Sequence, residues 1–231
     1  MAHILSAALS IESSNEFGLL KGAGPKRVPK RPEMKEEGRF DPGTLDSRPL
    51  VLALAGPNGA GKTTFYDAYL KPSGLHFLNA DFFAREMDLD AYEAARIVTV
   101  LRYEFVKQRE SFVFETVFSD PVGDKLAFLK QAAQAGYTVV LCFIGIADPR
   151  ISEERVAMRV SQGGHDVPTE KLIARFPRTL ANLKAAIQEL PLVFAFDNDD
   201  LQTPFRQVAI FQNGHNVLLK KPVPPWLKPM R

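Results

Sequence analysis

Leu50-Val51-Leu52-Ala53-Leu54-Ala55, followed at once by Gly56-Pro57-Asn58-Gly59-Ala60-Gly61-Lys62-Thr63-Thr64, is the stretch on which the reading of this chain turns. The apolar run has the length and composition of a buried strand. The second part follows the pattern Gly, four residues, Gly-Lys-Ser/Thr, and residues 61–70 read as a helix. A glycine loop between a strand and a helix is the context in which this pattern means a phosphate-binding P-loop. Gly56, Gly59 and Gly61 let the backbone turn tightly and aim its amides inward. Those amides and the helix N-terminus make a cradle for anionic phosphates. Lys62 supplies a cation to the β- and γ-phosphates. Thr63 offers a hydroxyl to Mg²⁺, which prefers oxygen ligands and keeps several waters. Residues 56–64 are therefore expected to bind a nucleoside triphosphate, ATP or GTP, with Mg²⁺.

Working outward, strands and helices alternate. Residues 75–79 read as a second strand ending at Asp81. Residues 91–109 show helical spacing of Ala95, Ile97, Val98, Leu101 and Phe105. A strand at 111–115 and a helix at 124–135 follow. Residues 137–146 form an apolar, β-branched run that includes the only cysteine, Cys142, and reads as a central parallel strand. Helices are expected at 152–161 and 169–190, strands at 192–196 and 207–211, and an Asn213-Gly214 turn into a last strand at 216–219. The pattern predicts an α/β fold: a P-loop NTPase three-layer sandwich with a mainly parallel sheet and a helical lid over about 152–180. The P-loop wording also occurs in ABC transporter ATPases. Those need a Leu-Ser-Gly-Gly-Gln signature that is absent here, and Asp199-Asp200 comes too late to serve as their acidic pair.

The remaining chemistry falls at expected strand ends, where ligands collect in open α/β sheets. Asp81 can face the γ-phosphate and take the proton of an acceptor hydroxyl; the alternative is a helix N-cap. Glu115 and Thr116 end the third strand and can contact substrate hydroxyls, or order Mg²⁺ through water. Arg155 and Arg159 are i and i+4 on one helix, and Arg175 and Arg178 lie on the next. The four flank residues 162–168, with Gly163, Gly164 and His165, and read as lid arginines that neutralise a transferring phosphoryl group. His165 is expected to shape that loop rather than bind metal.

Composition limits the possibilities. Of 231 residues 45% are hydrophobic and 24% charged, with 29 basic against 27 acidic side chains and a formal charge of +2. This near balance argues against a nucleic-acid partner. One cysteine fits a reducing compartment, no run is long enough to span a bilayer, and a cytoplasmic protein is expected. Residues 1–48 differ in character. Residues 4–20 have an amphipathic pattern, and 21–40 form a Pro-, Gly- and charge-rich linker with Lys26, Arg27, Lys30 and Arg31. The expected division is an N-terminal segment, 1–48, and a P-loop kinase-like domain, 49–231.

Several motifs together resemble the zeta toxin family of P-loop kinases. They are the Gly-Pro-Asn-Gly-Ala-Gly-Lys-Thr-Thr loop, Asn-Ala-Asp-Phe-Phe at 79–83 and Phe-Glu-Thr at 114–116. Arg-Val-Ala-Met-Arg-Val from Arg155, Gly-Gly-His-Asp-Val-Pro, and the later Arg-Phe-Pro-Arg with Asn182-Leu183 complete the set. The resemblance spans about 50–211. It implies a kinase that phosphorylates UDP-N-acetylglucosamine or a related nucleotide sugar and is often neutralised by an antitoxin. It also implies Lys62 as the phosphate lysine, Asp81 as general base, Glu115 and Thr116 as substrate contacts, and Arg159 with Arg175 or Arg178 as lid arginines. Two other functions are compatible with the residues alone, a polynucleotide-end kinase and a nucleotide-gated binding module.

Overall fold

The computed structural model describes residues 46–161 and 167–230. The amphipathic stretch at 4–20, the basic linker and the Gly163-Gly164-His165 loop lie outside them.

Seven strands form one sheet in the order β2-β3-β1-β4-β5-β6-β7. They are β1 Leu50–Ala55, β2 His76–Leu78, β3 Phe112–Thr116, β4 Thr138–Gly145, β5 Leu192–Asp197, β6 Arg206–Gln212 and β7 His215–Leu219. The first five in that order pair in parallel, and β6 and β7 add an antiparallel edge. Every residue of β1 is fully buried. Its alternate side chains enter separate cores on the two faces: Val51, Ala53 and Ala55 on one, Leu50, Leu52 and Leu54 on the other. That two-sided burial explains the unbroken apolar run, because a half-buried strand would alternate.

The first core is covered by α3 Ala91–Gln108, α4 Asp124–Gln134 and α6 Thr169–Glu189, through residues such as Leu101, Phe105, Leu129, Leu183 and Ile187. The second core is closed by the segment after the P-loop, where Phe65 packs on Phe196 and Phe205. The expected helix at 61–70 is divided. Its first turn is α-helical, α1 Lys62–Phe65, and Tyr66–Leu70 then widens into a π-helical turn. α3 begins where the Asp90 carboxylate accepts from the amides of Tyr92 and Glu93. It stops at Arg109, which takes φ +60°. Asn213 and Gly214 both have positive φ, as a two-residue hairpin turn between twisted strands requires. α5, Pro149–Ser161, leaves the end of β4 and completes the architecture above the sheet. The C-terminal 3₁₀ turn Pro225–Met230 returns to the sheet and buries Trp226 against Phe143.

One expected element is shifted in a way that matters for chemistry. β2 stops at Leu78, and the Asn79 side chain accepts from the Phe82 amide and caps α2, Ala80–Glu86. Asp81 therefore does not end a strand. It sits in the first turn of a helix, and Asn79 fills the cap position.

Candidate active site

The chain leaves β1 through Gly56, whose φ is +146°. A β-carbon there would lie 2.2 Å from the carbonyl oxygen of Ile144, so only glycine allows the loop to pass this close to β4. The loop then turns through a bond from the Ala60 amide to the Pro57 carbonyl, 3.3 Å. Gly61, at φ +89°, opens α1, and Phe65 N donates to the Gly61 carbonyl to close the first helical turn.

Lys62 follows directly and is held inward. Its Nζ donates to the Pro57 carbonyl at 3.0 Å and stands 3.7 Å from Glu115 Oε1. Glu115 joins the parts of the site. Its Oε2 accepts from Thr63 Oγ1 at 2.9 Å and from Asn79 Nδ2 at 2.8 Å. The end of β3 is thereby tied to the P-loop on one side and to the cap of α2 on the other. Burial pulls the Lys62 ammonium below its usual range and pushes the Glu115 carboxyl above its own, and their mutual attraction opposes both shifts.

A cavity of about 330 Å³ opens beside this cluster. Asn58, Gly59 and Lys62 form its loop side, and Asp81, Glu115, Thr116, Arg159, Lys171, Arg175 and Tyr92 line the rest. Arg159 Nη1 is 3.9 Å from Asp81 Oδ2. Thr116 Oγ1 accepts from the Phe118 amide at 2.9 Å, which turns the chain after β3. That turn is held from α6: Thr179 donates to the Val117 carbonyl, and Asn182 to those of Phe118 and Asp120.

The four arginines grouped by spacing separate in space. Arg159 and Arg175 reach the cavity. Arg155 turns back to the P-loop side, where its guanidinium donates to the carbonyls of Asn198 at 2.8 Å and Asp199 at 3.0 Å. Arg178 is exposed on α6 and is not among the cavity residues. Thr64 is likewise exposed on α1, away from the cavity wall. Lys171, Tyr92 and Asn79 belong to the cavity without having been expected there. Lys171 is one helical turn before Arg175, and that i, i+4 spacing was a usable signal. Asn79, three residues before Phe82, matches the spacing of an N-cap.

Thr63 and Glu115 present hard oxygen donors 2.9 Å apart beside the P-loop; Glu115 and Asp81 line the cavity, and Thr63 lies at its border, outside the lining. Few protein oxygens with room for water is the donor set that suits Mg²⁺. No group of three or more His, Cys, Asp or Glu side chains suited to a metal occurs among the described residues. No described helix is long and apolar enough to cross a membrane.

Comparison with known proteins bears on the fold and the family. The structure is similar to a chain of the AvrRxo1-ORF1:-ORF2 complex solved with ATP, with a TM-score of 0.61 at 18% identity, over 76% of this chain and 63% of that one. The chain thus spans less than two thirds of the length of that relative. It is also similar to a chain from the PezAT chromosomal toxin-antitoxin system of Streptococcus pneumoniae, with a TM-score of 0.52 at 18% identity, over 71% of each. At such identity the likeness carries the fold. No match is found among curated proteins. The family model described as Zeta toxin matches residues 85–217, more than half of the chain, and takes in Glu115, Thr116, Arg159 and Arg175. The P-loop and Asp81 precede that window and join it in space through Lys62–Glu115 and Asp81–Arg159, and the chain belongs to the zeta toxin family.

Proposed function

We propose that the chain is an ATP- and Mg²⁺-dependent phosphotransferase that delivers the γ-phosphate to a hydroxyl of a small molecule, a nucleotide sugar of the UDP-N-acetylglucosamine type. The observation that carries this is the meeting of Asp81 and Arg159, 3.9 Å apart, in the cavity lined by Lys62. A carboxylate and a guanidinium on opposite elements, beside a P-loop lysine, are the groups an in-line transfer needs.

The roles follow from position. The loop amides and Lys62 hold the phosphates. Thr63, with Glu115 behind it, would hold Mg²⁺, which neutralises charge on the β- and γ-phosphate oxygens when bound. The acceptor hydroxyl lies between Asp81 and the γ-phosphorus. Its proton passes to the Asp81 carboxylate as its oxygen bonds to phosphorus, and the bond to the β,γ-bridging oxygen breaks to release ADP. Arg159 and Arg175 stabilise the charge spread over the transferring oxygens. Lys171 and Arg175, one turn apart on α6, suit the diphosphate of a nucleotide sugar, with Glu115 and Thr116 toward its hydroxyls. Arg178, on the exposed face, has no role in this scheme. In this reading the protein acts in the cytoplasm, with residues 49–231 as the catalytic unit; the toxin-antitoxin system among the similar structures supports an antitoxin protein as the restraining partner. GTP is an alternative donor.

The test is a transfer assay with γ-labelled ATP, with and without Mg²⁺, across nucleotide sugars, nucleotide cofactors, simple metabolites and oligonucleotides. Label on a nucleotide sugar, abolished by Lys62→Ala, is the expected result. Label on oligonucleotides alone would replace the acceptor assignment. Label on no acceptor, with Lys62→Ala unchanged in ATP affinity, would end the transferase reading.

A further inference from the structure

Two side chains on distant elements hold P-loop carbonyls from behind. Ser152 Oγ, in the first turns of α5, donates to the Asn58 carbonyl at 2.6 Å. Asn198 Nδ2, just past β5, donates to the Ala60 carbonyl at 2.8 Å. Both residues are buried, with 1% and 3% exposure, so water does not compete for these bonds. We infer that Ser152 and Asn198 are positioning residues of the phosphate site, which aim the Gly59 and Gly61 amides at the nucleotide, and that Arg155 braces Asn198. The inference rests on the nucleotide-binding part of the reading above.

The argument is one of peptide geometry. A trans peptide is planar, with its C=O and N–H pointing in opposite directions. Fixing the Asn58 oxygen therefore fixes the Gly59 N–H, and fixing the Ala60 oxygen fixes the Gly61 N–H. The peptide between them is occupied otherwise, because the Ala60 amide donates to Pro57 within the loop. The two outward carbonyls would lack partners without Ser152 and Asn198, and buried backbone groups are costly to leave unpaired. Contact is tight on both sides. A β-carbon at Gly59 would lie 2.9 Å from the Ser152 carbonyl, and one at Gly61 would lie 2.8 Å from Asn198 Nδ2.

Asn198 is itself held at every polar atom that the chain offers it. Its amide donates to the Gly145 carbonyl at 2.9 Å, and its Oδ1 accepts from the Phe205 amide at 3.2 Å. Its carbonyl accepts from Arg155 at 2.8 Å. Arg155 also approaches the Gly59 carbonyl, but at 3.5 Å that contact is at the limit of a hydrogen bond. Its main action is through Asn198 and Asp199. One turn further along α5 stands Arg159, at the cavity. The helix is thus fastened to the phosphate loop at Ser152 and, through Arg155, to Asn198 behind it, and carries a cavity arginine beyond those anchors.

The test compares calorimetric affinities for ATP·Mg and for inorganic tripolyphosphate, which reads the cradle without the base or sugar. Ser152→Ala and Asn198→Ala should each bind both probes about five- to tenfold more weakly, the effect of one hydrogen bond. Arg155→Lys should show a smaller loss in the same direction. Ser152→Thr keeps the hydroxyl and should recover part of the affinity that Ser152→Ala loses. Melting temperatures identify folded variants; if Asn198→Ala does not fold, the Ser152→Ala and Ser152→Thr pair decides. A wild type that binds tripolyphosphate, with both alanine variants within twofold of it, would overturn the inference and leave nucleotide binding standing. Variants that lose tripolyphosphate, in a protein that phosphorylates no acceptor, would support the inference and count against transfer alone. A wild type that binds neither probe would overturn both.

Discussion

Replacing Arg159 with alanine should slow phosphoryl transfer far more than it loosens the protein. Arg159 and Asp81 face each other at 3.9 Å, with their side chains 42% and 62% exposed. An ion pair so open to water is worth about 0–1 kcal/mol, which in a domain of this size moves the melting temperature by about 2–4 °C at most. A cation aimed at charge that develops only in transfer acts on a different scale. Removing one such group costs about 2.7–4 kcal/mol, or about a hundred- to a thousandfold in rate. ATP affinity should change little, because the P-loop and Lys62 hold the nucleotide. Arg159→Lys should recover part of the rate, since it keeps the charge and loses the planar fork. Arg178→Ala, three residues past Arg175 but exposed, should stay within twofold of wild type. The assay is single-turnover transfer at saturating ATP·Mg and acceptor, with calorimetric ATP affinity beside it. An Arg159→Ala rate within about threefold of wild type would refute the reasoning and leave Arg159 as an ordinary surface arginine.

Asp81→Asn keeps the shape of the side chain and cannot accept a proton, so transfer should fall by about a hundredfold or more with ATP affinity retained; near-normal transfer to the true acceptor would make Asp81 structural. Gly145→Ala would put a β-carbon 2.3 Å from the Trp226 ring, and overpacking of this kind costs about 1–3 kcal/mol. Because Trp226 is the only tryptophan, its emission reports directly, and unchanged melting with unchanged emission would show that the C-terminal turn is not seated there. Removing residues 1–45 should leave a folded unit, since the described residues already contain the seven-stranded sheet; loss of cooperative melting would place that segment in the core.

What could be read from sequence was what is local. Strand, glycine loop, lysine and helix are contiguous in the P-loop, so composition and spacing suffice for its geometry. The apolar runs of β1 and β4 announce a sheet buried on both faces for the same reason. Asp81 was misplaced because a three-residue strand has no periodicity to mark its end, and the Asn79 cap starts the helix at Ala80, one residue before it. The arginine group failed differently. Spacing of i and i+4 puts Arg155 and Arg159 on one face of α5 but does not say that the first turn of that face meets the P-loop and the next meets the cavity. Arg178 and Lys171 show the same limit on α6, where both cations are exposed and only Lys171 borders the site. Ser152 and Asn198 had no local signal at all. Their bonds to the P-loop join residues 94 and 138 positions apart, and only the β4–α5 and β5–β6 connections, brought to one end of the sheet, make them neighbours.

The same distinction between chain average and local arrangement bears on charge. A formal balance of +2 over the whole chain gives no hint of an anion site. Yet among the described residues Lys62, Arg159, Lys171 and Arg175 line one cavity against only Asp81 and Glu115. The cavity's excess of two positive charges equals that of the entire chain. The cations are also divided by place. Lys62 is buried beside Glu115, so part of its charge is matched within the protein. Lys171 and Arg175 have no carboxylate opposite them among the cavity residues other than those same two. A cleft with an excess of one sign concentrates ligands of the other. A neutral sugar would use Asp81 and Glu115 but would leave Lys171, the α6 cation not engaged by the transferring phosphoryl group, without a counter-charge. An acceptor that carries its own phosphates satisfies both walls, which is why the proposed substrate is a nucleotide sugar and not a free one.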